Sequence, residues 1–407
     1  MSRIVIVGAG QAGASLAAKL RALGHDGSIT LIGSEHAPPY QRPPLSKKYL
    51  MGELDAERLY LRPETFYGEQ GIELRGGVTV TAIDRSAKAV ALDNGENLAY
   101  DQLALTTGSD PIRLPGEIGG TLAGVYTLRS LADADAMAAE FVEGRRVLVI
   151  GGGYIGLEIA AVAAARGLAV TLVEMAERIL QRVAAPATSG FFADLHRAHG
   201  VDLREGTAVT GLTGEGRVSA ASFADGTSLD IDFAVVGIGI RPSTGLAEAA
   251  GLAVENGIRV DGDGRTSDPA IFAAGDCTSF PYRGGRVRLE SVGNAIDQAE
   301  ATAASMMGGT AGYRARPWFW SDQYDVKLQI AGLSAGYDKT VVRAGGGARA
   351  QSVWYYRGDE LLAVDAMNDP RSYMMGKRWI EAGESPPAEA LADPQSDLKA
   401  LGAALAK

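Results

Sequence analysis

The chain has 407 residues, 46% apolar and 22% charged, which is enough for two or three domains with separate cores. Its formal net charge of −10 argues against nucleic acid as the main partner. The single cysteine, Cys277, excludes an internal disulfide and a dithiol redox pair within one chain.

Ile4, Val5, Ile6 and Val7 form an apolar β-branched run, which predicts a buried parallel strand. With the strand beginning so early, no signal peptide is expected. No apolar run approaches the roughly 18 residues of a membrane span. The expected setting is cytoplasmic, with no membrane and no metal site. Gly8-Ala9-Gly10-Gln11-Ala12-Gly13 follows the strand, and Leu16, Ala17, Leu20 and Leu23 then predict an amphipathic helix. In a dinucleotide fingerprint Gly8 permits the tight turn, Gly10 admits a pyrophosphate, and Gly13 lets helix and strand pack closely. The helix N–H groups hold the phosphate charge. A second strand at Ile29–Ile32 leads to Glu35, at about the 20-residue spacing of a ribose-binding acid.

The loop from His36 to Lys47 is rich in proline and carries Arg42 and Lys47 as positioned cations. Ser46 is expected to cap a short helix through Lys48, Tyr49 and Leu50. Val78–Ile83 and Lys88–Leu92 predict strands, and Asp93-Asn94-Gly95 predicts a hairpin turn. A buried strand then runs from Tyr100 into Thr107-Gly108.

The plan repeats. Arg146–Ile150 is a second buried strand. Gly151, Gly153 and Gly156 stand in the fingerprint positions of a second loop, and a helix follows through Leu157 to Arg166. Val170–Val173 leads to Glu174, Ala224-Asp225-Gly226 marks a hairpin, and Asp232–Gly239 mirrors Tyr100–Gly108. Four elements recurring in order make an internal duplication the central feature of the chain. Thr266–Cys277 predicts a strand that delivers Asp276, and Glu290–Ala304 predicts a helix. After about Asp322, strands at Val326–Ile330, Thr340–Arg343, Ser352–Tyr356 and Leu361–Met367 and a helix at Ser372–Glu381 predict an antiparallel domain. The tail from Ser385 is expected to be partly mobile.

Two fingerprints imply two dinucleotides. Glu35 and Glu174 suit ribose hydroxyls. Glu174 would repel a 2′-phosphate, and Met175-Ala176-Glu177 offers no cation, so the second site is expected to take NADH rather than NADPH. Arg178 and Arg182 are the nearby cations that oppose this reading.

The glycine loop at Gly8, Tyr40–Lys47, Thr107-Gly108, GGGYIGLE from Gly151, GIGIRP from Gly237, GDC from Gly275 and FWSDQYDVKLQ from Phe319 together resemble the FAD-dependent, NADH-using ferredoxin reductases of bacterial oxygenase systems. The resemblance covers nearly the whole chain. It implies an α/β, glutathione-reductase-like fold: two Rossmann-type dinucleotide-binding domains plus a C-terminal α+β domain. The implied boundaries are 1–113 with 243–321 for FAD, 114–242 for NADH, and 322–407 for the C-terminal domain.

The resemblance also implies the sites. Gly8, Gly10, Ala12, Gly13, Glu35, Arg42, Lys47, Thr107, Gly108, Gly275, Asp276, Ser291, Val292 and Trp320 would hold tightly bound, non-covalent FAD. Arg42 and Lys47 would lie along the flavin side of the proline loop, and the helix starting near Ser291-Val292 would direct its positive end at the flavin. Gly151, Gly153, Tyr154, Ile155, Gly156, Glu158, Glu174, Gly237, Ile238 and Gly239 would hold NADH. Lys47, paired with Glu158, and Trp320 would serve the reaction at the flavin.

Disulfide reductases and NADH peroxidases of this fold carry cysteine after the first acid. Here that loop reads Pro-Pro-Leu-Ser, and Cys277 is expected to be a buried neighbour of Asp276. The implied reaction is hydride transfer from NADH to FAD, then single electrons to a [2Fe–2S] ferredoxin, by a monomer or weak dimer. Arg62, Arg314, Arg316, Lys339, Arg371 and Lys377 are docking candidates. The alternatives are an NADH oxidase or peroxidase of the same fold, and a redox interaction protein resembling apoptosis-inducing factor.

Overall fold

The structure is a computed structural model that describes residues 2–310 and 312–405. By packing the chain divides into two units. One comprises Met1–Arg42, Ala56–Asp110 and Ile240–Pro317, and the other Pro43–Asp55, Pro111–Gly239 and Trp318–Lys407.

The first unit is built on a parallel sheet in the order Ile271–Ala273, Gln102–Leu105, Ile4–Val7, Ile29–Gly33, Ile72–Gly76. Every residue of Ile4–Val7 is buried, because a central parallel strand is covered on both faces. The helices Gln11–Ala22 and Val292–Met306 pack against each other and bury Leu16, Ala17 and Leu20 with Ala295, Ala299 and Ala303. The small residues of the later helix allow this close approach. The N-terminal strand has successive elements on one side and later strands on the other, so the chain reverses direction at its carboxyl end. Such a switch point opens a crevice for a ligand.

The second unit repeats the arrangement. Its parallel sheet has the order Asp202–Arg204, Ala169–Val173, Arg146–Ile150, Phe233–Val236, Val125–Tyr126. The expected hairpins appear as two three-stranded sheets, Val80–Asp84 with Ala89–Leu92 and Asn97–Ala99, and Val209–Thr213 with Ala220–Phe223 and Ser228–Asp230. Both carry an irregularity in the first strand, at Val80/Ala82 and Val209/Gly211.

The second unit also contains an antiparallel sheet, ordered Trp318–Gln323, Val326–Gly332, Glu360–Met367, Gln351–Arg357, Lys339–Ala344. Its first strand begins at Trp318 and carries the FWSDQ motif. The helix Tyr154–Ala165 is buried from Gly156 to Ala163, since the parallel and antiparallel sheets share one core. That core joins Val147, Val149, Leu157 and Ile159 to Val326, Leu328, Val353 and Tyr355. Each such fully buried side chain contributes about 1.5–3 kcal/mol.

One local expectation is corrected: Pro43–Ser46 forms a 3₁₀ turn rather than the start of a capped helix. The described part of the tail carries helices at Ala388–Ala392 and Leu398–Leu405. The buried Arg343 guanidinium pins it by donating to the carbonyls of Leu391, Asp393, Pro394 and Ser396. Among the described residues no helix is long and apolar enough to cross a membrane, and no cluster of His, Cys, Asp and Glu is arranged to hold a metal ion.

Candidate functional site

In the first unit, Gly8 turns the chain out of the strand with φ of +115°. A Cβ there would lie 2.2 Å from the Thr106 carbonyl oxygen, so no other residue fits. Thr106 Oγ1 donates to the Gly8 carbonyl at 2.8 Å and braces the loop. A Cβ on Gly13 would stand 2.0 Å from Gly8 O, which is the close helix–strand packing the fingerprint demands. Gly10 is different: a Cβ there would meet nothing within 4 Å. The polypeptide leaves this space open at the helix N-terminus.

Other elements converge on the loop. Gly275, with φ of +87°, passes so near the buried Ala12 that its Cβ would lie 3.0 Å from the alanine methyl. Asp276 accepts from Ser109 Oγ at 3.3 Å. Gln298 Oε1 holds the turn by accepting from Gly275 N at 2.8 Å and Thr278 Oγ1 at 3.0 Å. Ser291 caps the helix from Val292, accepting from Asn294 N at 3.1 Å. Thr107 Oγ1 donates to Ser243 O at 2.7 Å, and Gly108 has φ of +70°. Glu35 takes the Arg42 guanidinium on Oε1 and the Tyr40 hydroxyl on Oε2, each at 2.6 Å. Arg42 and Lys47, expected along one side of the proline loop, therefore have different partners: Arg42 joins Glu35, and Lys47 joins Glu158.

The second loop has the same construction. Gly151 has φ of +108° and a Cβ there would lie 2.5 Å from Gly237 O. A Cβ on Gly156 would lie 2.0 Å from Gly151 O. At Gly153 the nearest atom would be Gly237 O at 3.9 Å, so this position too faces open space. Glu174 Oε2 accepts the Gly152 N–H at 2.7 Å, and its Oε1 accepts Ala176 N–H at 2.8 Å. Ile155 is 44% exposed and Met175 76% exposed, both beside this loop in sequence. Ile238 packs against the core that holds Ile150 and Val173. Of the opposing cations, Arg178 is committed to Ala184 O at 2.8 Å and Ser189 Oγ at 2.5 Å. Arg182 is exposed and lies 3.4 Å from where a Gly239 Cβ would stand.

Glu158 is a buried carboxylate, 3% exposed, with a full set of donors. Lys47 Nζ lies 2.7 Å from Oε2, and Ser46 Oγ donates to the same oxygen at 2.5 Å. Ser321 Oγ donates to Oε1 at 2.8 Å. The proline loop, the helix after the second glycine loop and the FWSDQ strand thus meet on one acid.

Two glycine cradles, two open Cβ positions at helix N-termini and an acid after each second strand fit two bound dinucleotides. The comparisons decide the family. Residues 2–299 match the pyridine nucleotide-disulphide oxidoreductase family, and residues 318–402 match the reductase C-terminal family. The chain belongs to the pyridine nucleotide-disulphide oxidoreductase family. It is 46% identical over 387 residues to putidaredoxin reductase of Pseudomonas putida, covering 93% of this chain and 91% of that protein. Its fold superposes on the crystal structure of the covalent putidaredoxin reductase–putidaredoxin complex with a TM-score of 0.96 at 43% identity, covering 100% of this chain and 99% of that one. The ferredoxin reductase for the CYP199A2 system from Rhodopseudomonas palustris follows with a TM-score of 0.94 at 40% identity, covering 98% and 99%. The chain is an NADH-dependent FAD oxidoreductase with the Rossmann-type fold of this family.

Cys277 is fully buried, and its Sγ lies against the carbonyls of Leu105 at 3.6 Å and Ala274 at 3.5 Å. Burial pushes the thiol pKa up. Such a thiol is not a nucleophile. Trp320 stacks on Trp318 with ring centroids 5.4 Å apart and an interplanar angle of 21°, and Lys377 Nζ lies 5.8 Å from the Trp318 ring. Of the basic docking candidates, Arg62, Arg314 and Arg316 belong to one unit and Lys339, Arg371 and Lys377 to the other. Arg371 is paired with Asp397.

Sequence reasoning missed several supporting groups. Thr106 precedes the quoted Thr107-Gly108 and carries no signal of its own. Ser321 and Gln323 lie inside the quoted FWSDQ motif without an assigned role. His196 occupies a buried position of the helix Pro186–Ala198 and belongs to no motif.

Proposed function

We propose that this reductase passes single electrons from its flavin to a [2Fe–2S] ferredoxin, which in turn feeds a haem monooxygenase or a ring-hydroxylating dioxygenase. The observation that carries the reading is the buried, carbonyl-bonded Cys277 in a chain with no other cysteine. Without a thiol relay, electrons leave the flavin directly. Full-length likeness to reductases named for their ferredoxins supports the same acceptor.

FAD, when bound, supplies a centre that accepts two electrons together and releases them one at a time. The other tasks belong to the chain. Residues 1–113 and 243–321 are assigned to FAD. The loop at Gly8, Gly10, Ala12 and Gly13 takes its pyrophosphate, and Glu35, oriented by Arg42 and Tyr40, its adenosine ribose. Thr107, Gly108, Gly275 and Asp276 line its path, and the helix capped by Ser291 turns partial positive charge toward it from Val292.

Residues 114–242 are assigned to NADH, with Gly151, Gly153, Tyr154, Ile155 and Gly156 at its phosphates, Glu174 at its ribose, and Gly237, Ile238 and Gly239 along its length. Lys47 and Glu158 are assigned to the reaction as a held ammonium and its anchor, and Trp320 as an aromatic wall. Residues 322–407 are assigned to the C-terminal domain, whose antiparallel sheet takes in Trp318–Ser321 as well.

The test is stopped-flow mixing of the NADH-reduced holoenzyme with oxidised [2Fe–2S] ferredoxin under argon. Fast bleaching of the ferredoxin supports the proposal. Reduction by NADH with no transfer to any [2Fe–2S] ferredoxin, together with rapid peroxide formation in air, identifies an oxidase instead.

A further inference from the structure

Behind Glu158 runs a line of buried side chains that the proposed reaction does not use. Gln323 Nε2 lies 3.1 Å from Ser321 Oγ, and Gln323 Oε1 lies 2.9 Å from His196 Nε2. His196 Nδ1 lies 3.1 Å from the Tyr324 hydroxyl. Ser321, Gln323 and His196 are all fully buried, so their polar atoms are cut off from bulk water.

Only one polarity satisfies every group. Glu158, paired with Lys47, accepts; Ser321 therefore donates to it. The Ser321 oxygen then accepts from the Gln323 amide nitrogen, which turns the amide oxygen to His196. That oxygen requires a hydrogen on Nε2, which leaves Nδ1 bare to accept from Tyr324. Every hydrogen bond in the line points toward Glu158. Burial pushes the His196 pKa down to about 4, which keeps the single-hydrogen imidazole this pattern needs.

The consequence lies in the amide. With the His196 donor present, a turned Gln323 would set N–H against N–H. Without it, the amide is free to turn, and its oxygen then competes with Glu158 for the Ser321 hydrogen. Glu158 Oε1 loses its fixed donor, and Lys47 loses a fixed anchor.

We propose that His196, acting through Gln323 and Ser321, is a positioning residue that sets the Glu158–Lys47 pair for flavin reduction. This rests on the assignment of that pair to the reaction.

The experiment uses holoenzyme carrying E158Q, H196L, H196Q, S321A or H196L/S321A. It reads the limiting rate of flavin reduction by NADH, the flavin midpoint potential and the melting temperature. H196L and S321A should each slow reduction roughly tenfold and move the potential in the same direction as E158Q. H196Q keeps a donor at the Nε2 position and should stay within about twofold of the parent rate. The double variant should be no slower than the worse single one, because both break one line.

If H196L fails to fold, S321A and H196Q carry the comparison. Lower melting temperatures with parental rate and potential would reduce the line to a structural network and overturn the proposal. So would losses in H196L and S321A that multiply. If E158Q itself leaves rate and potential unchanged, the assignment of the pair falls, and this proposal with it.

Discussion

Glu174 accepts the backbone N–H of Gly152 at 2.7 Å, so the acid at the end of its strand also ties down the second glycine loop. A Cβ on Gly152 would lie 2.6 Å from Ile179 Cγ2, so this backbone is held tightly on its other side as well. The acid therefore has two tasks, one toward the ribose and one toward the loop that receives the phosphates. E174A should weaken NADH binding by more than the roughly tenfold that a single hydrogen bond explains. E174Q, which keeps one acceptor oxygen, should fall between. Titration of the holoenzyme with NAD⁺ measures this, and equal constants for E174A and the parent would remove both roles.

The fingerprint glycines should differ sharply from one another. G10A places a methyl in open space and should fold like the parent polypeptide, yet fail to retain FAD. G13A drives a methyl to 2.0 Å from Gly8 O and should misfold the first unit. G156A should impair the second unit in the same way. Flavin content after purification and circular dichroism of each variant separate loss of cofactor from loss of fold.

The Lys47–Glu158 pair is buried on the acid side and 17% exposed on the lysine side. K47M leaves a buried carboxylate with only hydroxyl partners and should cost roughly 3 kcal/mol of stability. Replacing both members, as K47M/E158L, should cost less than K47M alone, because the unpaired charge is gone. Denaturant unfolding of the three proteins is the measurement. A double variant less stable than K47M would contradict it.

Two buried groups in the second unit make stability depend on pH in opposite directions. His196 titrates near 4 when folded against a usual 6.5, because of burial. The unfolded chain binds this proton first, so stability falls as pH drops from 6.5 to about 4. Asp365 titrates near 6 against a usual 3.8, because burial outweighs the hydrogen bonds from Tyr355 and Thr188. The folded chain holds this proton longer, so stability falls as pH rises from 3.8 to about 6. The two effects oppose each other between pH 4 and 6. D365N should unmask a rise of stability with pH across that window, and H196Q a fall. Melting curves at stepped pH test the signs.

Cys277 should be inert. Native protein should resist thiol reagents until it unfolds, and C277A should retain electron transfer from NADH to acceptor within about twofold. Fast labelling with parallel loss of activity would return the chain to thiol chemistry.

The sequence by itself determined the duplicated plan. Its strands, hairpin turns and glycine loops are local patterns: an apolar run, a Gly where φ must be positive, an acid at a set distance. Those patterns placed Gly8 and Gly151, Glu35 and Glu174, and the paired hairpins, because each depends on neighbours a few residues away. Tertiary structure decided the partners. It put Arg42 on Glu35, held Gly152 with Glu174, and pinned the tail with Arg343. It buried the helix Tyr154–Ala165 from Gly156 to Ala163 by laying a second sheet over it. It joined His196 to Gln323, 127 residues apart, and through Ser321 to Glu158. Hydrogen-bond partners so distant share no period in the sequence. They are chosen when packing excludes water and leaves each polar group a single place to turn.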